Sequence, residues 1–365
     1  MSLFGGGSSA TQAATSSTQG DTSKDVEVAN PPEDSISDLS FSSAANLLAV
    51  SSWDKKVRIY EINNNGEATG KNYFEMGDAV LSCAWSKDGT KLVAAGADRS
   101  AMMVDLKASQ GVQLQGAKVA QHEDTIRCVK MWQFNGNDMV VTGSWDKTVK
   151  YWDPRDSSGT PAGIIQCPNR VYTMDTRDNL LVVGTAERQI QVINLSKPQD
   201  VYKTISSPLK WQTRVVSCFT DATGFAVGSI EGRCAIQYVE DKDVGLNFSF
   251  KCHRQQDTSQ RDVAKVYSVN AISFHPVHGT FSTAGSDGTF HFWDKDAKHR
   301  LKGYPEVGGS ITATAFNNNG QIFAYAVSYD WSKGYAFNTP QYPTKIKLHP
   351  VIGDECKPRP GSKKR

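Results

Sequence analysis

Seven acidic residues, each in a short turn between two strand-like runs, recur at Asp54, Asp98, Asp146, Glu187, Glu231, Asp287 and Asp330, with gaps of 44, 48, 41, 44, 56 and 43 residues. Aligned on these turns, the chain falls into seven similar segments: Ser35–Ile62, Ala79–Leu106, Thr125–Asp153, Arg170–Leu195, Arg214–Val239, Ser268–Asp294 and Ser310 onward. Each opens with alternating apolar residues, as in Leu81, Cys83 and Trp85. A polar turn such as Ser86-Lys87-Asp88-Gly89 follows, then a small-and-apolar run such as Leu92-Val93-Ala94-Ala95. The acidic turn leads into a second alternating run (Val57, Ile59; Val149, Tyr151). Alternation at every second residue is the period of a strand, and glycine-containing turns punctuate the units. A repeat of about 40–45 residues built of strands and ending in Trp-Asp is the pattern of a propeller blade. Trp152-Asp153 and Trp293-Asp294 supply that ending.

A four-stranded blade has two apolar faces and is not stable alone; stacking blades around an axis buries both faces and protects the edges. The expected fold is therefore all-β, a seven-bladed β-propeller. Asp25-Val26-Glu27-Val28-Ala29 alternates but precedes the first repeat, and Thr344-Lys345-Ile346-Lys347-Leu348 alternates at the far end. The first is expected to complete the last blade as its outer strand. The fourth, fifth and seventh repeats lack the tryptophan, which leaves an open ring of six blades with an irregular end as the alternative. The expected organisation is a disordered low-complexity tail at 1–24, the propeller at 25–350 and a basic tail at 351–365.

Composition narrows the function. Lys plus Arg number 40 against 38 Asp plus Glu, so nucleic acid would have to be held by a local patch. No apolar run approaches the ~18 residues of a membrane span, and no membrane partner is expected. Seven scattered cysteines without CxxC, and no basic-then-apolar leader, read as reduced thiols packed in strands. No phosphate-cradling glycine motif is present, and no cofactor or small-molecule substrate is expected. His275-Pro276-Val277-His278 reads as a turn, because the proline keeps the two imidazoles off a shared helical face.

The pattern resembles that of WD-repeat proteins. The resemblance implies that His122, Ser144, Asp146 and Trp152 form a buried hydrogen-bond network, the aspartate accepting from turn amides and the imidazole bridging Asp and Ser. A hydrolase using His122 and Ser144 is the alternative; it lacks a G-x-S-x-G elbow, and the set is aligned to the repeat. Longer strings go beyond a generic blade: Ser51-Ser52-Trp53-Asp54-Lys55 and Gly143-Ser144-Trp145-Asp146-Lys147, Ser207-Pro208-Leu209-Lys210-Trp211-Gln212-Thr213-Arg214, Gly228-Ser229-Ile230-Glu231-Gly232-Arg233, Phe248-Ser249-Phe250-Lys251-Cys252-His253-Arg254, and Ser328-Tyr329-Asp330-Trp331-Ser332-Lys333-Gly334. Over about residues 25–350 these resemble the nuclear-pore-associated mRNA export factors of WD-repeat type, relatives of the mitotic checkpoint WD-repeat proteins.

That resemblance implies a propeller without catalysis, at the nuclear pore and shuttling to the cytoplasm. It would dock a nucleoporin segment of GLEBS type across its top face and contact single-stranded RNA of messenger ribonucleoprotein nearby. The checkpoint relatives imply the alternative, an adaptor for kinase-derived peptides at kinetochores. Turns between second and third strands emerge on one rim, so Trp53 and Trp145, each near a lysine (Lys55, Lys147), are expected there as peptide anchors. Arg214 and Arg233 are expected nearby to clamp acidic side chains, with an internal ion pair as the plainer alternative. RNA contact is expected at Lys295, Lys298, Arg300 and Lys302 with Phe250, charge holding phosphate and the ring stacking a base. A solvated charged face is the plainer reading of that run. The excess residues at Gln255–Val266 are expected to form a polar loop on the same rim.

Overall fold

In a computed structural model describing residues 18–63, 65–109, 111–260 and 262–359, the seven repeats form seven four-stranded antiparallel sheets. The innermost strands of the blades are Ile36–Phe41, Val80–Trp85, Ile126–Phe134, Val171–Arg177, Thr213–Cys218, Val269–Phe274 and Ile311–Phe316. The ring closes as expected. Val26–Glu27 pairs with Lys345–Pro350, Val26 opposite Leu348, and the Val28 N–H donates to the Ile346 carbonyl at 2.9 Å.

One hydrogen bond repeats in all seven blades. The N–H at the start of the turn between second and third strands donates to the carbonyl just before the first strand: Trp53 to Ser35, Ala97 to Ala79, Trp145 to Thr125, Ala186 to Arg170, Ile230 to Gln212, Ser286 to Ser268, Ser328 to Ser310. Turn and strand entry thus share one end of every blade, here called the top. The acid of that turn has a mechanical role. Asp54, Asp98, Asp146, Asp287 and Asp330 each accept, through a carboxylate oxygen, the N–H two residues on. This Asx turn forces the intervening residue left-handed, with φ of 70° at Lys55, 64° at Arg99, 69° at Lys147, 69° at Gly288 and 61° at Trp331.

The core lies between blades. Val141, Val149 and Tyr151 of the third meet Val171, Leu181 and Val183 of the fourth. Across the closure, Ile36, Leu48 and Val50 meet Val28, Ile346 and Leu348. Ring and core together make the N-terminal strand a structural part of the propeller.

The ends are longer than the repeat suggests. Residues 18–20, expected in the tail, lie along the outer strand His299–Gly303 of the sixth blade: Gly20 N–H donates to the Gly303 carbonyl at 2.8 Å, and Gly303 N–H to that of Thr18 at 3.0 Å. A side chain on Gly20 would come 2.2 Å from the Tyr304 ring, so only glycine fits. At the other end Cys356 is buried, its carbonyl takes the Thr280 hydroxyl at 2.6 Å, and Arg359 N–H donates to Asp294 at 3.1 Å. Residues 1–17 of the N-terminal stretch, and the basic Lys363, Lys364 and Arg365, lie outside the described residues. The insertion between fifth and sixth blades is a hairpin, Arg254–Gln256 with Ala264–Val266. No helix among the described residues is long and apolar enough to cross a membrane.

Candidate peptide and nucleic-acid interface

Trp53 and Trp331 leave equivalent turns of the first and seventh blades and stack, centroids 4.2 Å apart and planes 23° apart. The left-handed backbone at Trp331 lies at the root of this arrangement. Tyr329 adjoins Trp331 at 5.6 Å and Tyr342 adjoins Tyr329 at 5.3 Å, so an aromatic row crosses the blade junction. Beyond it, Tyr335 is 85% exposed and Phe337 55%, on the short turn Tyr335–Phe337, with the Lys333 ammonium 5.7 Å from the Phe337 ring. Trp331, Tyr335 and Phe337 were not singled out by sequence reasoning. The signal available was five aromatics in the long gap between Val327 and Lys345 of the seventh repeat.

Lys55 is exposed on the same rim, donating to the Gly77 carbonyl at 3.4 Å with Asp78 at 3.9 Å. Trp145 is 36% exposed on the third blade's turn. Lys147 opens onto a shallow cavity of about 480 Å³ shared with Arg170, Arg188 and Glu187. Trp211, on the entry to the fifth blade, is 60% exposed.

Arg214 stands at the mouth of the central channel, not on the outer rim, and donates across the axis to the Asp330 carbonyl at 3.3 Å. Burial and the neighbouring Arg127 lower its proton affinity, while Asp330 opposes them. Arg233 lies partly buried and donates to the Ser249 hydroxyl at 3.3 Å. Neither makes the internal ion pair that was the plainer alternative; Glu231 pairs instead with Arg254, at 3.4 Å.

At the fifth–sixth blade junction, Phe250 is partly buried, its ring 4.5 Å from Trp293 and tilted 48°. Lys298 and Arg300 are exposed beside it, and the Lys298 ammonium lies 5.1 Å from the Phe248 ring. Lys302 continues the same strand, half-buried. Lys295 differs from expectation. Its side chain is only 9% exposed, paired with Asp296 at 2.8 Å and lying over Phe219 and Tyr238. Burial opposes its charge, but the bond to Asp296 together with the attraction of Asp296, Tyr238 and Asp221 outweighs burial and keeps the ammonium protonated. A phosphate would have to displace that partner, so Lys295 serves packing.

The internal network also differs in one member. His122 Nδ1 lies 2.8 Å from Asp146, but Nε2 meets Thr142 Oγ1 at 2.7 Å, not Ser144. Trp152 Nε1 donates to the same Thr142 oxygen at 2.8 Å. Ser144 instead donates to the Asp124 carbonyl and receives the Asp146 N–H, bracing the turn. Strand alternation explains this: Thr142 lies two residues back on the same sheet face, one step deeper along the strand. A second copy stands in the sixth blade, where His253 joins Asp287 at 2.9 Å and Thr283 at 3.0 Å, and Trp293 donates to Thr283 at 2.9 Å. Burial lowers the His122 pKa and outweighs Asp146, which favours a neutral imidazole. With His122 buried and its hydroxyl neighbours spent on packing, the set fits a scaffold and not a nucleophile. His275 Nδ1 accepts two backbone N–H groups, of Val277 and His278, as a turn residue does. Among the described residues no group of three or more His, Cys, Asp or Glu is placed to hold a metal ion.

Seven such blades with two His-Asp-Thr-Trp networks define a WD-repeat β-propeller, and the WD domain, G-beta repeat family matches residues 26–61, 72–105, 115–153 and 262–294. The chain is 65% identical to "mRNA export factor GLE2" of Chaetomium thermophilum, over 100% of this chain and 99% of the relative. It is 55% identical to "Poly(A)+ RNA export protein" of Schizosaccharomyces pombe, over 99% of each chain. It is 45% identical to "Protein Rae1" of Drosophila melanogaster, over 92% of this chain and 96% of the relative. The protein belongs to the family of WD-repeat mRNA export factors.

Proposed function

We propose that the protein is a non-enzymatic adaptor of poly(A) RNA export, held at the nuclear pore by a nucleoporin segment of GLEBS type on its top face and touching single-stranded RNA beside it. The observation that carries the peptide reading is the stacked, half-buried pair Trp53 and Trp331 on a rigid ring, continued by the exposed Tyr335 and Phe337, with Lys55 on the same rim and Arg214 bonded to the Asp330 carbonyl beside it. Large rings on a fixed frame anchor a partner at small entropic cost, and cations nearby select acidic side chains. RNA would lie along the junction of blades five and six, where Lys298 and Arg300 supply charge and Phe250 supplies part of a ring face. Lys295 takes no part in that contact.

The peptide reading is tested by pull-down with an acidic nucleoporin segment, comparing wild type with Trp53→Ala plus Arg214→Ala. Binding falls by about tenfold or more if these are anchors; unchanged binding removes the site. For RNA, a single-stranded oligonucleotide is titrated at two salt concentrations against Lys298→Glu plus Arg300→Glu. The variant should bind more weakly and with a shallower salt dependence. Equal affinity and slope would take the contact elsewhere.

A further inference from the structure

The channel through the ring carries an unbalanced charge, of which the peptide reading uses only Arg214. Each innermost strand has a register shift after its first residue, between Ile36 and Asp38, Ile126 and Cys128, Thr213 and Val215, and likewise in the other blades. The shift turns the intervening residue toward the axis at the top of the strand. Of these bulge residues, Ser37, Arg127, Arg214, Asn270 and Thr312 line the channel, and none is acidic. Arg127 and Arg214 line the same cavity, and the charge of Arg127 lowers the proton affinity of Arg214. Both spend their bonds on backbone carbonyls: Arg127 Nη1 donates to Leu81 at 3.2 Å and Arg214 Nη2 to Asp330 at 3.3 Å. The nearest carboxylate to Arg214, that of Asp330, is already held by the Ser286 hydroxyl and the Ser332 N–H. Deeper in the channel Lys130 is paired with Asp175 at 3.3 Å; with Asp38 and Arg177 also in the lining, the channel carries four cations against two carboxylates.

Two guanidiniums in a partly desolvated mouth, with donors left over and no carboxylate between them, form a fork suited to an oxyanion. We propose that the channel mouth binds a small phosphate-bearing polyanion, held between Arg127 and Arg214, at the top of a channel cavity of about 510 Å³. The polyanion is a compact ligand, because seven strands surround the axis and leave a narrow channel and not a groove. Its charge relieves the repulsion between the two arginines and stiffens the top of the ring.

The test uses the full chain without peptide and sodium tripolyphosphate as the probe, by calorimetry and thermal unfolding. Wild type should bind and melt at higher temperature with the probe. Arg127→Gln and Arg214→Gln should each weaken binding by about tenfold or more, the loss expected for one charge-assisted contact. Lys71→Gln, on the outer strand Ala68–Glu75 of the first blade, should leave it unchanged. If one of the two arginine variants fails to fold, the other decides. Absence of binding to wild type overturns the proposal, as does binding lost in Lys71→Gln but kept in Arg127→Gln. A short oligoadenylate is run in parallel. Dependence of the oligonucleotide alone on Arg127 would assign the mouth to RNA and overturn the small-ligand reading.

Discussion

At the scale of single residues, Thr142 carries more of the third blade than its type suggests, since its hydroxyl serves both His122 and Trp152. Thr142→Val leaves two buried groups short of a partner and should cost about 2–3 kcal/mol in urea unfolding. Ser144→Ala should cost about 1 kcal/mol, because only turn contacts are lost. Equal effects would mean that the network does not run through Thr142. The acid at each turn and the histidine were legible because their spacing repeats. The threonine was not, since serine lies nearer in sequence and only strand geometry separates them. The role of His253 is hidden in the sequence, because the inserted hairpin moves it away from its own blade.

A second residue-scale expectation concerns His349. Burial alone would lower its pKa, but bonds to Asp25 at 2.6 Å and Glu355 at 3.4 Å outweigh burial and raise it to about 9. A folded-state pKa above the unfolded one gives stability that is complete below the unfolded value and fades as pH rises through the folded value. Melting temperature should therefore fall between about pH 6.5 and pH 10 in wild type, and less steeply in His349→Gln. Glu355, held low by His349 although burial opposes this, acts with the opposite sign and is lost on acidification. Parallel pH profiles for wild type and variant would show that the cluster does not couple to folding.

At the scale of elements, closure depends on one short strand. Val28 is buried among Ile36, Leu48 and Ile346, and Asp25 meets His349 and Tyr325. Val28→Asp places a carboxylate in that cluster and should cost about 3 kcal/mol or more, leaving the edge of Lys345–Pro350 open to self-association. Light scattering beside thermal unfolding checks both; an unchanged monomer with wild-type melting would mean the ring is held shut without this strand. The closure was legible because an alternating segment without a blade of its own must pair somewhere. The docking of residues 18–20 and 351–359 was not. It depends on single fits, Gly20 beneath Tyr304 and the Cys356 carbonyl on Thr280, which leave no periodic trace.

For the whole molecule, the proposed function follows from having three cationic regions on one rigid frame. The net charge of +2 gives no long-range attraction for nucleic acid, so binding must come from where cations collect. They collect around the aromatic row, at the channel mouth and along the sixth blade's outer strand. The central claim is that the top face links this ring to the export route. It is tested most directly by replacing the endogenous chain with Trp53→Ala plus Trp331→Ala and imaging poly(A) RNA in the cell. The account predicts a folded, normally abundant variant that leaves the nuclear rim while poly(A) RNA accumulates in the nucleus; a variant that stays at the rim and exports RNA normally would contradict it.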